Sequence, residues 1–505
     1  MLRRFRYRVL LVGLALLALQ LVFLTGPGIQ EDEALFVAPF LGNTPAIYEW
    51  HVGKFHIPVM SMDYIGALKS WLYWPVFQLW APGVWSMRLP VALLSVVTLL
   101  VFTDLVRRLA TGRVALAAAA FLATDAVFVL INVFDMTVCL LLLGTVAFLN
   151  LLQRQLVGPA FLVAGLALWY KAVFIFPLAG MLLAFAIAYP AEVWRLLTWR
   201  KVAVAAIAIM AGAAPLIAFN WERRGATVQA SGSLPTVPAQ EKLVMLRHTL
   251  DGRAFEHYMF RSTFDEKVPL TGAPLGELVV RWYGTSHFGP GSALLPALAL
   301  ALLALPFLRG SPLFPALLFS WIAMAAAYGV MFVFRDAGAG PHHTVLLYPA
   351  PHFVVAASAA ALAERWSGRV AFVAFCIVVV ASNLWLLGRY QRAARVNGFS
   401  VYWSDGVQRL ATVVRAQSLP VAILDWGIHN GLQIESRDAV AFAADPAPRE
   451  NVLYVTHCDG YVIDESRTTQ FQSQLAASRL RVTANRVVAD KKGHLVYCLF
   501  RLEPN

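Results

Sequence analysis

The sequence predicts a polytopic α-helical membrane protein of about eleven spans, followed by a small soluble α/β domain. Three observations predict it. The chain is 59% hydrophobic and only 14% charged, with a mean hydropathy of +0.64; soluble domains are roughly half apolar and about a quarter charged. Apolar runs of membrane-crossing length recur as far as Leu387. After Arg389 the runs shorten to strand length and polar residues return. The chain therefore divides into 1–388, a membrane domain, and 389–505, an α/β domain.

Crossing the hydrocarbon takes about 20 apolar residues. Spans are predicted near 9–25, 88–106, 113–131, 136–152, 159–172, 173–190, 202–220, 291–308, 312–333, 343–363 and 369–388. Lys171 and Pro177 split one long apolar stretch into two. Arg3, Arg4, Arg6 and Arg8 precede the first span, and no small-x-small cleavage pattern follows at Thr25-Gly26-Pro27-Gly28. This predicts a retained helix with a cytoplasmic N-terminus, rather than a removed signal peptide.

Arg107, Arg108, Arg113, Arg154, Arg195, Arg200, Lys201, Arg309, Arg365 and Arg369 fall in alternate connectors, which places those connectors in the cytoplasm. An odd number of spans puts the tail outside. In a bacterium the chain would lie in the inner membrane with its C-terminal domain in the periplasm. The net charge of +12 is spent largely at helix ends, which argues against nucleic acid as a partner.

Two outside loops are long, 26–87 and 221–290. The first is rich in Trp, Tyr and Pro, and Trp71, Tyr73, Trp74, Trp80 and Trp85 read as interfacial anchors on surface-lying helices. In the tail, 420–424 and 452–455 read as buried strands, 470–480 as a helix, and 480–488 with 494–502 as a hairpin. Cys458 and Cys498 are either a disulfide or two buried thiols; Cys139 and Cys376 lie in spans as packing residues.

Several groups could carry chemistry. Glu31-Asp32-Glu33 stands at the outer mouth of the first span. Acids there suit a site, a solvated loop or a helix N-terminus. Asp135 stands between two spans on the same side, as a site acid or an N-cap. Lys171 interrupts an apolar stretch and must bind an anion or snorkel to the headgroups. Lys69, beside Trp71 and Trp74, has the same two readings on a surface helix. His342 and His343 follow a Gly-rich approach from Arg335 and open a span. They suit a phosphate site, a metal site with the acids, or a capping role.

Taken together, acids, cations and aromatics at one membrane face suggest a lipid-linked substrate. A polyprenyl-phosphate sugar would put its tail in the bilayer and its phosphate at that face. Lys69, Lys171, His342 and His343 would hold the phosphate and neutralise the leaving group. Asp32, Glu33 or Asp135 would deprotonate the acceptor hydroxyl. The attack would pass an oxocarbenium-like state, as in glycoside hydrolysis.

The pieces Glu31-Asp32-Glu33-Ala34, Arg88-Leu89-Pro90 through Arg107-Arg108-Leu109, Leu122-Ala123-Thr124-Asp125 followed by Asp135, and Gly165-Leu166-Ala167-Leu168 with Lys171 occur in this order over 1–390. That layout resembles the type C (GT-C) glycosyltransferase superfamily, which includes protein O-mannosyltransferases and the lipid A aminoarabinose transferase. The resemblance implies a GT-C fold and inverting sugar transfer at the outer face. It implies Asp32 as base with Glu33 beside it, Asp135 as the second-loop acid, and Lys171 as a site cation. The family often has Lys-Pro-Pro or Glu-Lys-Pro in the first loop, where this chain has Lys69-Ser70-Trp71. Some members need a divalent metal and others do not, and both remain open here. The acceptor implied is a glycolipid such as lipopolysaccharide, another glycan, or a protein. A transporter or flippase of lipid-linked sugars is the alternative; it would place its polar groups at mid-membrane in repeated halves.

Overall fold

A computed structural model describes residues 2–41, 46–231, 237–260, 290–334, 336–364, 368–458, 462 and 465–505. Residues 232–236 and 261–289 of the second long loop, and the connector residues Arg335 and Arg365, lie outside the described residues.

The predicted spans fall on apolar helices, with 113–131 divided between Gly112–Thr124 and Ala126–Ile131. Six are long and apolar enough to cross a membrane: Arg3–Phe23, Val84–Leu109, Trp199–Glu222, Phe314–Val333, Pro341–Leu362 and Gly368–Val396. Ala172–Ala188 with Pro190–Leu196 qualifies only as a pair bent by 109°. Gly112–Thr124, Cys139–Gln153, Val157–Tyr170 and Leu294–Leu308 are shorter. The fold is thus that of a multi-pass helical membrane protein. Two breaks have visible causes. At Asp125 the chain is extended, and the carboxylate accepts from Phe128 N at 2.9 Å to cap a new helix. At Lys171 it is extended again and bridges to Ile65.

Helix contacts use small residues. Gly165, on Val157–Tyr170, and Gly212, on Trp199–Glu222, face each other so closely that a Cβ on either would meet backbone of the other helix. Without a hydrophobic force between helices in lipid, such approach supplies the attraction by packing.

The first loop departs from expectation. Besides the helix Leu68–Leu79 it holds a three-stranded antiparallel sheet: β1 (Tyr48–Val52), β2 (Phe55–Met62) and β3 (Ile65–Gly66). Val52 pairs with Phe55 across Gly53-Lys54, with Gly53 at φ +62°. A left-handed residue in a two-residue connection is the hairpin signal, and here the surrounding aromatics masked it. Side chains tie the sheet down. Trp71 Nε1 donates to Pro58 O at 2.7 Å, Trp169 Nε1 to Val59 O at 3.0 Å, and Tyr48 Oη to Glu222 Oε1 at 2.7 Å.

The last long helix runs through Val396, past the predicted boundary at 388. Its Arg- and Ala-rich end is good helix sequence, and Gly398 at φ +78° follows the stop. Beyond it, β4 (Val421–Ile423), β5 (Leu453–His457), β6 (Leu480–Ala489) and β7 (Leu495–Pro504) form a sheet ordered β4-β5-β7-β6. β4 and β5 are parallel, and β7 runs antiparallel to both β5 and β6. The helix Gly406–Arg415 buries Val407, Leu410, Ala411 and Val414 at helical spacing. The predicted 470–480 helix lies earlier, at Glu465–Ala476. A disulfide joins Cys458, at the end of β5, to Cys498 of β7.

Candidate functional site

The three consecutive acids of the first loop go three ways. Gln30 caps the short helix Glu31–Ala34: its Oε1 accepts from Asp32 N (2.7 Å) and Glu33 N (3.1 Å), while Glu33 Oε2 accepts from Gln30 N (3.4 Å). This reciprocal cap fixes the side-chain directions. Glu33 turns inward to a fully buried Arg88, whose Nε and Nη2 donate to its two oxygens at 2.5 and 2.9 Å. Arg88 also donates to the carbonyls of Leu24, Pro27 and Gly28, closing the loop on the first helix. Glu31 reaches the helix His429–Glu435, where its Oε2 accepts from Asn430 N at 3.1 Å.

Asp32 faces Lys171, and among the described residues it has no ion pair at contact distance. Burial pushes the Asp32 carboxyl above its usual range; the Lys171 ammonium and the Gln30 amide oppose this. Tyr64 lies beside it, its phenol pushed up to about 12 by burial and by the Asp32 charge.

Lys171 Nζ donates to Thr137 Oγ1 at 2.7 Å and Met136 O at 3.2 Å. Both are neutral acceptors, and the ammonium is buried. Thr137 sits at φ +60°, a costly conformation for a β-branched residue. Such strain, of order 1–3 kcal/mol, is kept where the surroundings over-determine it, and it clusters at functional sites.

Asp135 is fully enclosed. Its Oδ2 takes Lys69 Nζ at 2.7 Å, Cys139 Sγ at 3.1 Å and Tyr170 Oη at 3.3 Å. Its Oδ1 takes the amides of Val138 (2.7 Å) and Cys139 (2.9 Å), the N-cap arrangement. Burial alone would raise its pKa, but the Lys69 charge and these donors hold it below the usual range. Lys69 is closed in as well, with its ammonium 3.6 Å from the centre of the Phe36 ring. It is not the headgroup-facing Lys of a surface helix.

His342 and His343 occupy the turn Pro341–Thr344 with ring centres 4.1 Å apart. The Nδ1 of each is buried without a hydrogen-bond partner among the described residues. Both rings lie within electrostatic reach of Lys171. The structure therefore gathers Asp32, Lys171, His342 and His343 into one neighbourhood. Lys171 also acts on Asp135, so the two loop acids share one cation. Glu33 and the Lys69–Asp135 pair form its supporting walls. Among the described residues the acids and the His pair do not gather as a metal-ligand group.

Other parts of the site were not read from the sequence. Arg88 carries a signal of its own: a lone Arg at the opening of an apolar run needs a buried partner. Tyr64, Thr137 and Lys242 carried no local signal. Lys242 Nζ donates to Phe334 O (2.6 Å), Phe332 O (3.1 Å) and Met331 O (3.5 Å), satisfying the carbonyl end of Phe314–Val333. Between the helices, an apolar cavity of about 260 Å³ is lined by Phe102, Met181, Phe185 and Phe353 and reaches Tyr348 and Pro349, just past the His pair.

No protein-family model and no curated protein sequence matches the chain. Solved structures do. ArnT from Cupriavidus metallidurans bound to undecaprenyl phosphate aligns with a TM-score of 0.54 at 12% identity, covering 97% of both chains. The same protein in the apo state gives 0.55 at 14% identity, again over 97% of each. The archaeal oligosaccharyltransferase AglB from Archaeoglobus fulgidus, in complex with an inhibitory peptide and a dolichol-phosphate, gives 0.52 at 13% identity, covering 99% of this chain and 74% of that one. These neighbours are GT-C glycosyltransferases, and over nearly its whole length this chain has their fold.

Proposed function

We propose that the protein transfers a sugar from a polyprenyl-phosphate donor to an acceptor hydroxyl at the outer face of the membrane. The observation that carries the reading is Lys171: a buried ammonium that, among the described residues, donates to two neutral oxygens, set among Asp32 and two imidazoles whose Nδ1 atoms have no partner among those residues. An anionic phosphate suits that environment. The neighbours bound to undecaprenyl phosphate and dolichol-phosphate support a lipid-linked donor. The apolar cavity that reaches Tyr348 and Pro349 suits a lipid tail.

In this reading the acceptor oxygen attacks the anomeric carbon opposite the phosphate, and the configuration inverts. The carbon–oxygen bond to the phosphate breaks, and Lys171, His342 and His343 stabilise the departing charge. Asp32 takes the acceptor proton. Glu33 orients the acidic helix through Arg88. Asp135 and Lys69 hold each other and fix the strained Met136-Thr137 turn against Lys171. Lys69 would touch phosphate only by leaving Asp135. The acceptor is a glycolipid, a glycan or a protein.

The same reading takes all eleven apolar helices as crossing or entering the bilayer, with the N-terminus cytoplasmic and the C-terminal domain periplasmic. The Cys458–Cys498 disulfide suits that oxidising compartment. The test is mass spectrometry of envelope glycolipids and glycans from a strain lacking the protein. A sugar should be missing, restored by the wild type and not by Asp32→Asn, while purified Asp32→Asn still binds polyprenyl phosphate. Restoration by Asp32→Asn would end the assignment of the base. An unchanged envelope together with lost lipid translocation would favour a flippase.

A further inference from the structure

The β1–β2 hairpin carries a group of side chains that the transfer reaction does not use. His51 and His56 are directly opposed across the ladder, and Glu49 lies two residues before His51, on the same face. The rings of His51 and His56 meet edge to face with centres 4.6 Å apart. Glu49 Oε2 lies 3.3 Å from His56 Nδ1, and its Oε1 accepts from Ala46 N at 3.2 Å, which orients the carboxylate. One ligand atom from each of the three lies within 4.8 Å of the others.

We infer that Glu49, His51 and His56 bind a divalent transition-metal ion, of the zinc or copper type, as a clasp on this hairpin. Two imidazoles and one carboxylate are a donor set for such ions; magnesium and calcium call for more oxygens. Ligand atoms about 2.1 Å from a tetrahedral ion stand roughly 3.4 Å apart. Small rotations of the exposed imidazoles bring the three from their present spacing to that one. Water or an acceptor group would take the fourth position. The carboxylate is already fixed by a backbone amide, as a partner outside the ligand set fixes ligands in metal sites.

The clasp has a physical purpose. A two-stranded hairpin is marginal in water by itself. This one is anchored at its β3 end, where Ile65 bridges to Lys171, and along β2 through Trp71 and Trp169. Its turn, with Val52 and Phe55 exposed, has no comparable anchor among the described residues. A metal linking the two strands next to the turn would hold their register.

The test uses the full chain in detergent, without a polyhistidine tag and stripped with chelator. Zinc titrated by calorimetry should show one site that His51→Ala/His56→Ala abolishes. Glu49→Gln should weaken it at least about tenfold, since loss of an outer partner alone costs about 10–100-fold. Copper(II) bound at the same site should show resonance coupling to two nitrogens, lost in the double variant. Equal zinc binding by the wild type and the double variant, or a copper spectrum unchanged between them, overturns the proposal.

Discussion

Asp32 and Lys171 oppose each other's burial: the carboxyl is raised by desolvation and held down by the ammonium. If Asp32 is the base, activity falls as pH drops through its pKa. Lys171→Met removes the lowering influence, so the acid limb of kcat/KM should move to higher pH, in addition to the loss of rate. A profile whose acid limb stays in place would separate Lys171 from Asp32. Arg88 makes a different prediction. Breaking a buried ion pair from one side costs about 3–5 kcal/mol, because the remaining charge stays buried. Arg88→Ala should therefore lower the thermal unfolding midpoint of the detergent-solubilised protein sharply. Arg88→Lys should rescue little, because one ammonium cannot replace a fork that serves Glu33 and three carbonyls.

At the scale of elements, the short acidic helix Glu31–Ala34 joins the apolar helices to the residues that follow Val396. Gly28 N donates to Trp403 O at 2.8 Å, and Ser404 packs so closely on Gly28 that no Cβ would fit. Glu31 holds the start of the helix His429–Glu435. Burial raises the Glu31 pKa from 4.5 to about 7; the Asn430 amide lowers it, Asp32 adds to the rise and Arg467 opposes it. A folded-state value above the unfolded one means that the proton is held more tightly when docked. The contribution is complete below about 4.5 and is lost as pH rises through about 7. Hydrogen exchange at Asn430 should thus speed up above neutrality beyond its intrinsic pH dependence, and Glu31→Gln should remove that excess. An excess retained in Glu31→Gln would place its cause elsewhere.

For the whole molecule, the residues after Val396 are pinned at two levels. Trp403 packs into the core of the apolar helices, its ring 5.3 Å from Phe134. Beyond it, the disulfide spans a separation of 40 residues. Closing a loop of that length is worth about 4 kcal/mol on the chain-entropy model. Cys458→Ser/Cys498→Ser should lose up to about that much stability in the β4–β7 sheet, read as faster proteolysis after Arg395, with the apolar helices intact. The same variant assayed under reducing conditions should show no further loss.

The multi-pass helical character was legible in the sequence. Hydropathy over tens of residues is additive and needs no partner, so the apolar helices and the break at Lys171 were readable; strand segments in the tail were readable by their length, but not the order in which they pair. It also pointed to Asp32, Lys171 and the His pair, because an ionisable group beside lipid is conspicuous wherever it later folds. What each charge does depends on the fold. Glu31, Asp32 and Glu33 are consecutive, yet one holds Asn430, one faces Lys171 and one is closed in by Arg88. Lys69 and Asp135 cancel each other, while Lys171 meets neutral oxygens. The energy of a charge in a low-dielectric interior depends on which opposite charge lies within a few ångströms, and residues far apart in the chain supply that neighbour.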